Sequence, residues 1–141
     1  MKTISTAVLA LAAGIAFAGP AAADTDFMTA PKVACTPDSV TRCEAADKCT
    51  TKPASASDKA EVLVIDFAGK KAAIRKGGET KDFGDVVQDE VAGDVRKIAV
   101  TELGKSGQGD RLSMTLSKTG KLTLDIGGKG NKAEASCAGE S

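Results

Sequence analysis

"DRLSMTLSKTGKLTLDI", residues 110–126, alternates apolar and polar residues on both sides of a short turn. Leu112, Met114 and Leu116 share one face of the first run, and Leu122, Leu124 and Ile126 share one face of the second. A period of two belongs to a strand, because successive side chains leave a pleated backbone on opposite sides. "KTGK" joins the runs, and Gly120 is free to take the positive φ that a tight hairpin turn requires. The stretch predicts an antiparallel hairpin with one apolar face, which needs something to cover it.

The same pattern continues on both sides. From Glu61 onward, short apolar runs alternate with turn residues: "EVLVIDF" (61–67), "KAAIRK" (71–76), "KDFGDVVQDEV" (81–91), "VRKIAVTEL" (95–103), then the hairpin, then "KAEASC" (132–137). Val95, Ile98, Ala99 and Glu102 have helical spacing, but the β-branched residues of that run favour a strand. Short strands linked by hairpins, without a helix-period segment, predict an all-β fold built as a small antiparallel meander. Closing six to eight strands into a barrel buries the apolar face and removes exposed edges, so the barrel is preferred to a two-sheet sandwich.

The N-terminus reads as an address. Lys2 precedes an apolar run of eleven residues, Ala7 to Phe17, and "AAA" at 21–23 offers a small-residue cleavage site before Asp24. The run is well short of the roughly 20 residues a spanning helix needs, so residues 1–23 are expected to be a signal peptide. Cleavage after Ala18 is the second choice. Of 141 residues, removal of 23 leaves 118, enough for one domain. Residues 24–60 hold three of the four cysteines and three of the four prolines. They are expected to be irregular, with at most two short strands, and to fold as one unit with the β domain at 61–141.

Composition excludes several functions. Without Lys2, 18 basic residues face 19 acidic ones, so charge offers no case for a nucleic-acid or anionic-membrane partner. Tyr and Trp are absent, which removes stacking platforms. There is no histidine, so Ser-His-Asp and Cys-His catalysis and His-containing zinc sites cannot be built. No later segment is long and apolar enough to span a membrane, and no cofactor motif is present. The sequence reads as non-enzymatic and points to a periplasmic or secreted protein.

The cysteines read as staples. Cys35, Cys43, Cys49 and Cys137 are separated by seven, five and eighty-seven residues, which fits neither paired C-x2-C zinc units nor a redox C-x-x-C. An even count in a short exported chain favours two disulfides, for which three connectivities exist. Val33 and Cys35 share a strand face, as do Ala135 and Cys137, so adjacent terminal strands would pair Cys35 with Cys137. Cys43 and Cys49 flank a loop short enough to bridge.

The cysteine cluster, the "IDF" strand (65–67), the "SKTGKL" hairpin (117–122) and a last-strand cysteine together resemble small uncharacterised exported proteins of Gram-negative bacteria. That resemblance implies a periplasmic β-rich domain and supplies no activity. "GKSGQGDRLSM", through Ser106, Gly107 and Arg111, is distantly similar to the inhibitory loop of the C-type lysozyme inhibitors, small disulfide-linked barrels that insert a Ser-Gly loop into the lysozyme cleft. The chain lacks that family's aromatic residues. Two other stretches invite a site reading. Asp82, Asp85, Asp89, Glu90 and Asp94 miss the calcium-loop spacing and read as solvated strand positions, and "GGKGNK" (127–132) shares only its glycines with a phosphate loop.

A non-catalytic module with an unknown protein or envelope partner is thus the leading expectation, ahead of a hydrolase inhibitor and an enzyme of unrecognised type. N-terminal sequencing of the exported protein is expected to begin at Asp24; a soluble pool retaining Met1 would contradict the signal-peptide reading.

Overall fold

The 110–126 hairpin forms as its alternation predicts, and its neighbours extend it into a ring. A computed structural model describes residues 25–103, 111–126 and 130–140. The expected signal segment 1–23 lies outside these residues. The elements are β1 (Lys32–Ala45), β2 (Lys48–Pro53), a single helical turn α1 (Ala56–Lys59), β3 (Val62–Asp66), β4 (Lys71–Lys76), β5 (Glu79–Ala92), β6 (Val95–Glu102), β7 (Arg111–Ser117), β8 (Lys121–Asp125) and β9 (Lys132–Gly139). Every neighbouring pair is antiparallel, and β9 returns to pair with β1. β1 and β3 to β9 form a closed eight-stranded barrel, with β2 an additional strand beside the far half of β1.

The segment expected to be irregular carries the longest kind of strand in the fold. β1 runs for 14 residues and has two neighbours in succession along one edge. Lys32–Cys35 pair with β3, and the stretch from Ser39 onward pairs with β2. Along its other edge, Val33 through Thr41 pair with β9. The exchange of neighbours falls at Pro37 and Asp38, where the register slips by one residue. A bulge is where a strand tolerates a residue with no N–H to donate, so Pro37 breaks no ladder there. Proline content suggested irregularity because it gave no indication of a bulge.

Inward positions follow the pleat. Val33 and Cys35 of β1, Ile65 of β3, Ala72 of β4, Val100 of β6, Leu116 of β7 and Leu122 of β8 are all nearly or fully buried. The opposite positions, such as Lys71, Lys97, Thr115 and Lys132, are exposed. Apolar inside and charged outside is the reverse of the lipid-facing pattern of membrane barrels. No helix among the described residues is long and apolar enough to cross a membrane.

Two disulfides join directly opposed cross-strand residues. Cys35 and Cys137 lie across the β1–β9 seam, with Cα atoms 3.9 Å apart and 102 residues apart in sequence. Cys43 and Cys49 link β1 to β2, with Cα atoms 4.0 Å apart. Cys35 is fully buried, so the first bond is both a seam and part of the core.

In the chain-entropy account a loop of this length is worth about 4.7 kcal/mol and a six-residue loop roughly 2 kcal/mol. Replacing Cys137 with Ser is therefore expected to destabilise the domain by about 2 kcal/mol more than replacing Cys49, measured by urea unfolding. A larger loss for Cys49→Ser would contradict the ranking.

Candidate functional site

The two ends of the barrel are built differently. At one end, the turns after β3 and β7 meet the N-terminal segment Phe27–Pro31. The amides of Phe67 and Ala68 donate to the Pro31 carbonyl at 2.8 and 3.2 Å. Phe27 packs on Gly120, which has φ of 89°, and a Cβ there would lie 2.7 Å from the Phe27 ring. Gly120 thus serves both its turn and the close approach of this plug.

Arg96 fastens the plug. It shares the inward face of β6 with Ile98 and Val100, and only 6% of it is exposed. Its Nε and Nη2 donate to the Asp89 carboxylate at 2.6 and 2.9 Å, and its Nη1 donates to the Phe27 and Ala30 carbonyls at 3.0 and 2.9 Å. The guanidinium carbon also sits 3.5 Å from the Phe67 ring centre. A guanidinium cannot discharge, so burial is tolerable only with this set of partners. Asp89 faces Arg96 because Val87 is an extra residue at a register slip in β5. Asp89 is exposed, as expected of that stretch, and the bulge in addition brings its carboxylate onto Arg96. Three other acidic residues of that stretch are individually engaged: Asp85 with Lys71 at 2.7 Å, Asp94 with Lys118 at 3.7 Å, and Glu90 with Gln88 at 3.1 Å. No metal-binding cluster is present among the described residues.

The described residues leave the opposite end open. There the interior is a cavity of about 280 Å³ walled by Leu63, Ile74, Phe83, Leu112, Met114 and Leu124, with Cys35 and Leu122 among the deeper residues. Small side chains, Ala133 and Ala135 on β9, face Leu124 and Leu122 and leave the space unfilled. An eight-stranded barrel is just wide enough to be filled by its own side chains or to hold one small ligand. This barrel is filled at the plugged end and hollow at the other.

Among the described residues, the charged ones that line the cavity are Asp58, Glu61 and Glu134. Asp58 is held by a capping box, in which the Ser55 amide donates to its Oδ2 at 2.9 Å and its own amide donates to Ser55 Oγ at 3.2 Å. The Ser55 backbone N–H, followed by the Ser55 hydroxyl, holds the Asp58 carboxyl below the usual carboxylate range. Glu61 lies 3.5 Å from the Lys76 ammonium.

The second disulfide belongs to this end. Gly130, with φ of 86°, would place a Cβ 3.0 Å from Cys43 Sγ, and the Cys43 amide donates to Asn131 Oδ1 at 2.7 Å. The Ile126 amide donates to the Asn131 carbonyl at 2.9 Å. The β1–β2 hairpin is therefore tied to the residues that lead into β9, and is not an isolated loop.

Of the sequence-derived loop candidates, Ser106 and Gly107 lie outside the described residues. Arg111 is exposed at the start of β7, opposite Thr101. Residues 127–129 of "GGKGNK" also lie outside. The cavity and Arg96 were not anticipated. Arg96 had a signal, its phase with Ile98 and Val100 on an otherwise apolar face.

Fold and site together define a closed antiparallel barrel with a sealed end and an apolar cup. No protein family, curated protein or solved structure matches the chain.

Replacing Arg96 with Met is expected to cost about 3 kcal/mol in urea unfolding, the low end for breaking a buried pair, because Asp89 keeps 31% of its side-chain surface and can rehydrate. An Arg96→Met variant as stable as the parent would contradict the fastening role.

Proposed function

We propose that this protein is an exported, non-catalytic binding module whose barrel cup takes one small apolar ligand. The observation that carries the reading is the cavity: about 280 Å³, walled by apolar side chains and open at one end of a disulfide-closed barrel. Binding sites for small molecules are concave and mostly apolar, with a few polar groups at defined places. The acidic residues at this mouth fit that description.

Export is supported by the charged start, the short apolar run and the small-residue site before Asp24. Two disulfides are compatible with an oxidising compartment. The non-catalytic reading is supported by the chain's chemistry, since it has no histidine and the cavity walls carry hydrocarbon where a nucleophile and base would have to meet.

Titration with p-xylene, followed by methyl and amide NMR shifts, is expected to saturate, with the largest changes at Leu63, Met114 and Leu124. Shifts that are absent, or that cluster at the Arg96 end, would contradict the cup as the binding site.

A further inference from the structure

One strand of the ring is built differently from its neighbours. Every other ring strand puts at least one Val, Leu, Ile, Met or Phe into the interior, from Val33 on β1 to Leu122 on β8. β9 puts none there, since its inward positions at the cup are Ala133, Ala135 and Cys137. Each alanine lies between two larger cavity residues on the adjoining strands. Ala135 is opposed by Leu122 of β8 and Pro37 of β1, and Ala133 by Leu124 of β8 and Val40 of β1.

The space over these methyl groups is vacant. Ala133, Ala135 and Leu124 stay half-buried although they face inward, whereas Val100 and Leu116, in the filled half, are fully buried. A close-packed interior leaves its inward residues no such surface. Larger aliphatic residues on β9 would withdraw that surface from water, so the vacancy costs stability that a simple substitution would recover. Both positions are held in the ladder between β8 and β1, and Ala135 lies two residues from the Cys137 seam.

We infer that Ala133 and Ala135 are the residues that set the size of ligand the cup admits. This inference rests on the proposal that the cup is a ligand site. An apolar cavity of about 150 Å³ holds one benzene, roughly 25 Å³ per carbon. On that scale about 280 Å³ has room for about 11 carbons. Ala135→Leu adds three carbons and leaves room for about eight, and the Ala133→Leu/Ala135→Leu double variant leaves room for about five, fewer than benzene has. Filling β9 therefore removes ligands in order of size, the largest first, while the unliganded domain becomes more stable.

The test is NMR titration with benzene, p-xylene and n-butylbenzene, alongside urea unfolding of each variant. The parent is expected to bind all three, n-butylbenzene tightest because it brings the most apolar surface. Ala135→Leu should weaken n-butylbenzene by about tenfold or more, keep benzene within about threefold and place p-xylene between them. Its urea midpoint should rise above that of the parent. The double variant should bind none of the three. Ala133→Leu alone should also weaken n-butylbenzene, and the swap Ala133→Leu/Leu124→Ala, which returns the same number of carbons across the register pair, should restore it. If Ala135→Leu does not fold, Ala135→Val, which adds two carbons, should still weaken n-butylbenzene ahead of benzene.

Undiminished n-butylbenzene binding to a folded Ala135→Leu variant, or an equal loss of all three ligands, would overturn the sizing role while leaving the cup as a site. A urea midpoint below that of the parent would show that the space over Ala135 is not vacant and would overturn the inference in the same way. A swap that fails to recover n-butylbenzene would remove volume as the cause of the Ala133→Leu loss and overturn it too. If the parent binds none of the three, the cup falls as a ligand site and the inference falls with it, whatever the variants do in urea.

Discussion

The pairing of β1 with β9, locked by Cys35–Cys137, is the constraint on which the rest depends. A meander of short strands has two edges, and each edge exposes unpaired backbone groups until something covers it. Here the first ring strand and the last satisfy each other from Val33 to Thr41 of β1, with a covalent bond within the seam at Cys35. Only after this closure does the barrel have an inside. The core residues of β3 to β8 acquire partners from across the ring because the seam brings them there.

Closure explains how a chain with so few aromatic residues holds a barrel together. Among the described residues, Phe27 and Phe67 serve the plugged end and Phe83 stands in the wall of the cup. The remaining interior is aliphatic, and on β9 it shrinks to alanine. A seam stabilised by a long-loop disulfide lowers the amount of core the fold requires. That leaves one half of the barrel free to remain hollow. The Arg96 network and the second disulfide act at opposite ends: the first seals the bottom, and the second ties the β1–β2 hairpin to Asn131 beside the cup.

Much of this architecture was legible in the residues. The alternation of Leu112, Met114, Leu116, Leu122 and Leu124 specifies a hairpin and its inward face, and glycines mark the turns. The shared faces of Val33 with Cys35 and of Ala135 with Cys137 were enough to select one disulfide connectivity from three. What stayed hidden depends on single-residue slips of register. An extra residue at Val87 turns Asp89 toward Arg96, and a bulge near Pro37 lets a proline-containing segment become a 14-residue strand. Alternation alone does not announce where it will skip. The cup was hidden for a different reason, since empty volume depends on which small side chains face each other around a closed ring. Scarcity of large aromatics was its trace in the sequence.

Native-state hydrogen exchange tests the closure most directly. Amides of Val33–Cys35 and of β9 around Cys137 should exchange only through global unfolding, with protection equal to the whole stability of the domain, while amides of β2 (Lys48–Pro53), which lies outside the ring, should exchange through local opening at much lower free energy. Seam amides that exchange as readily as those of β2 would contradict the claim that the β1–β9 pairing holds the barrel closed.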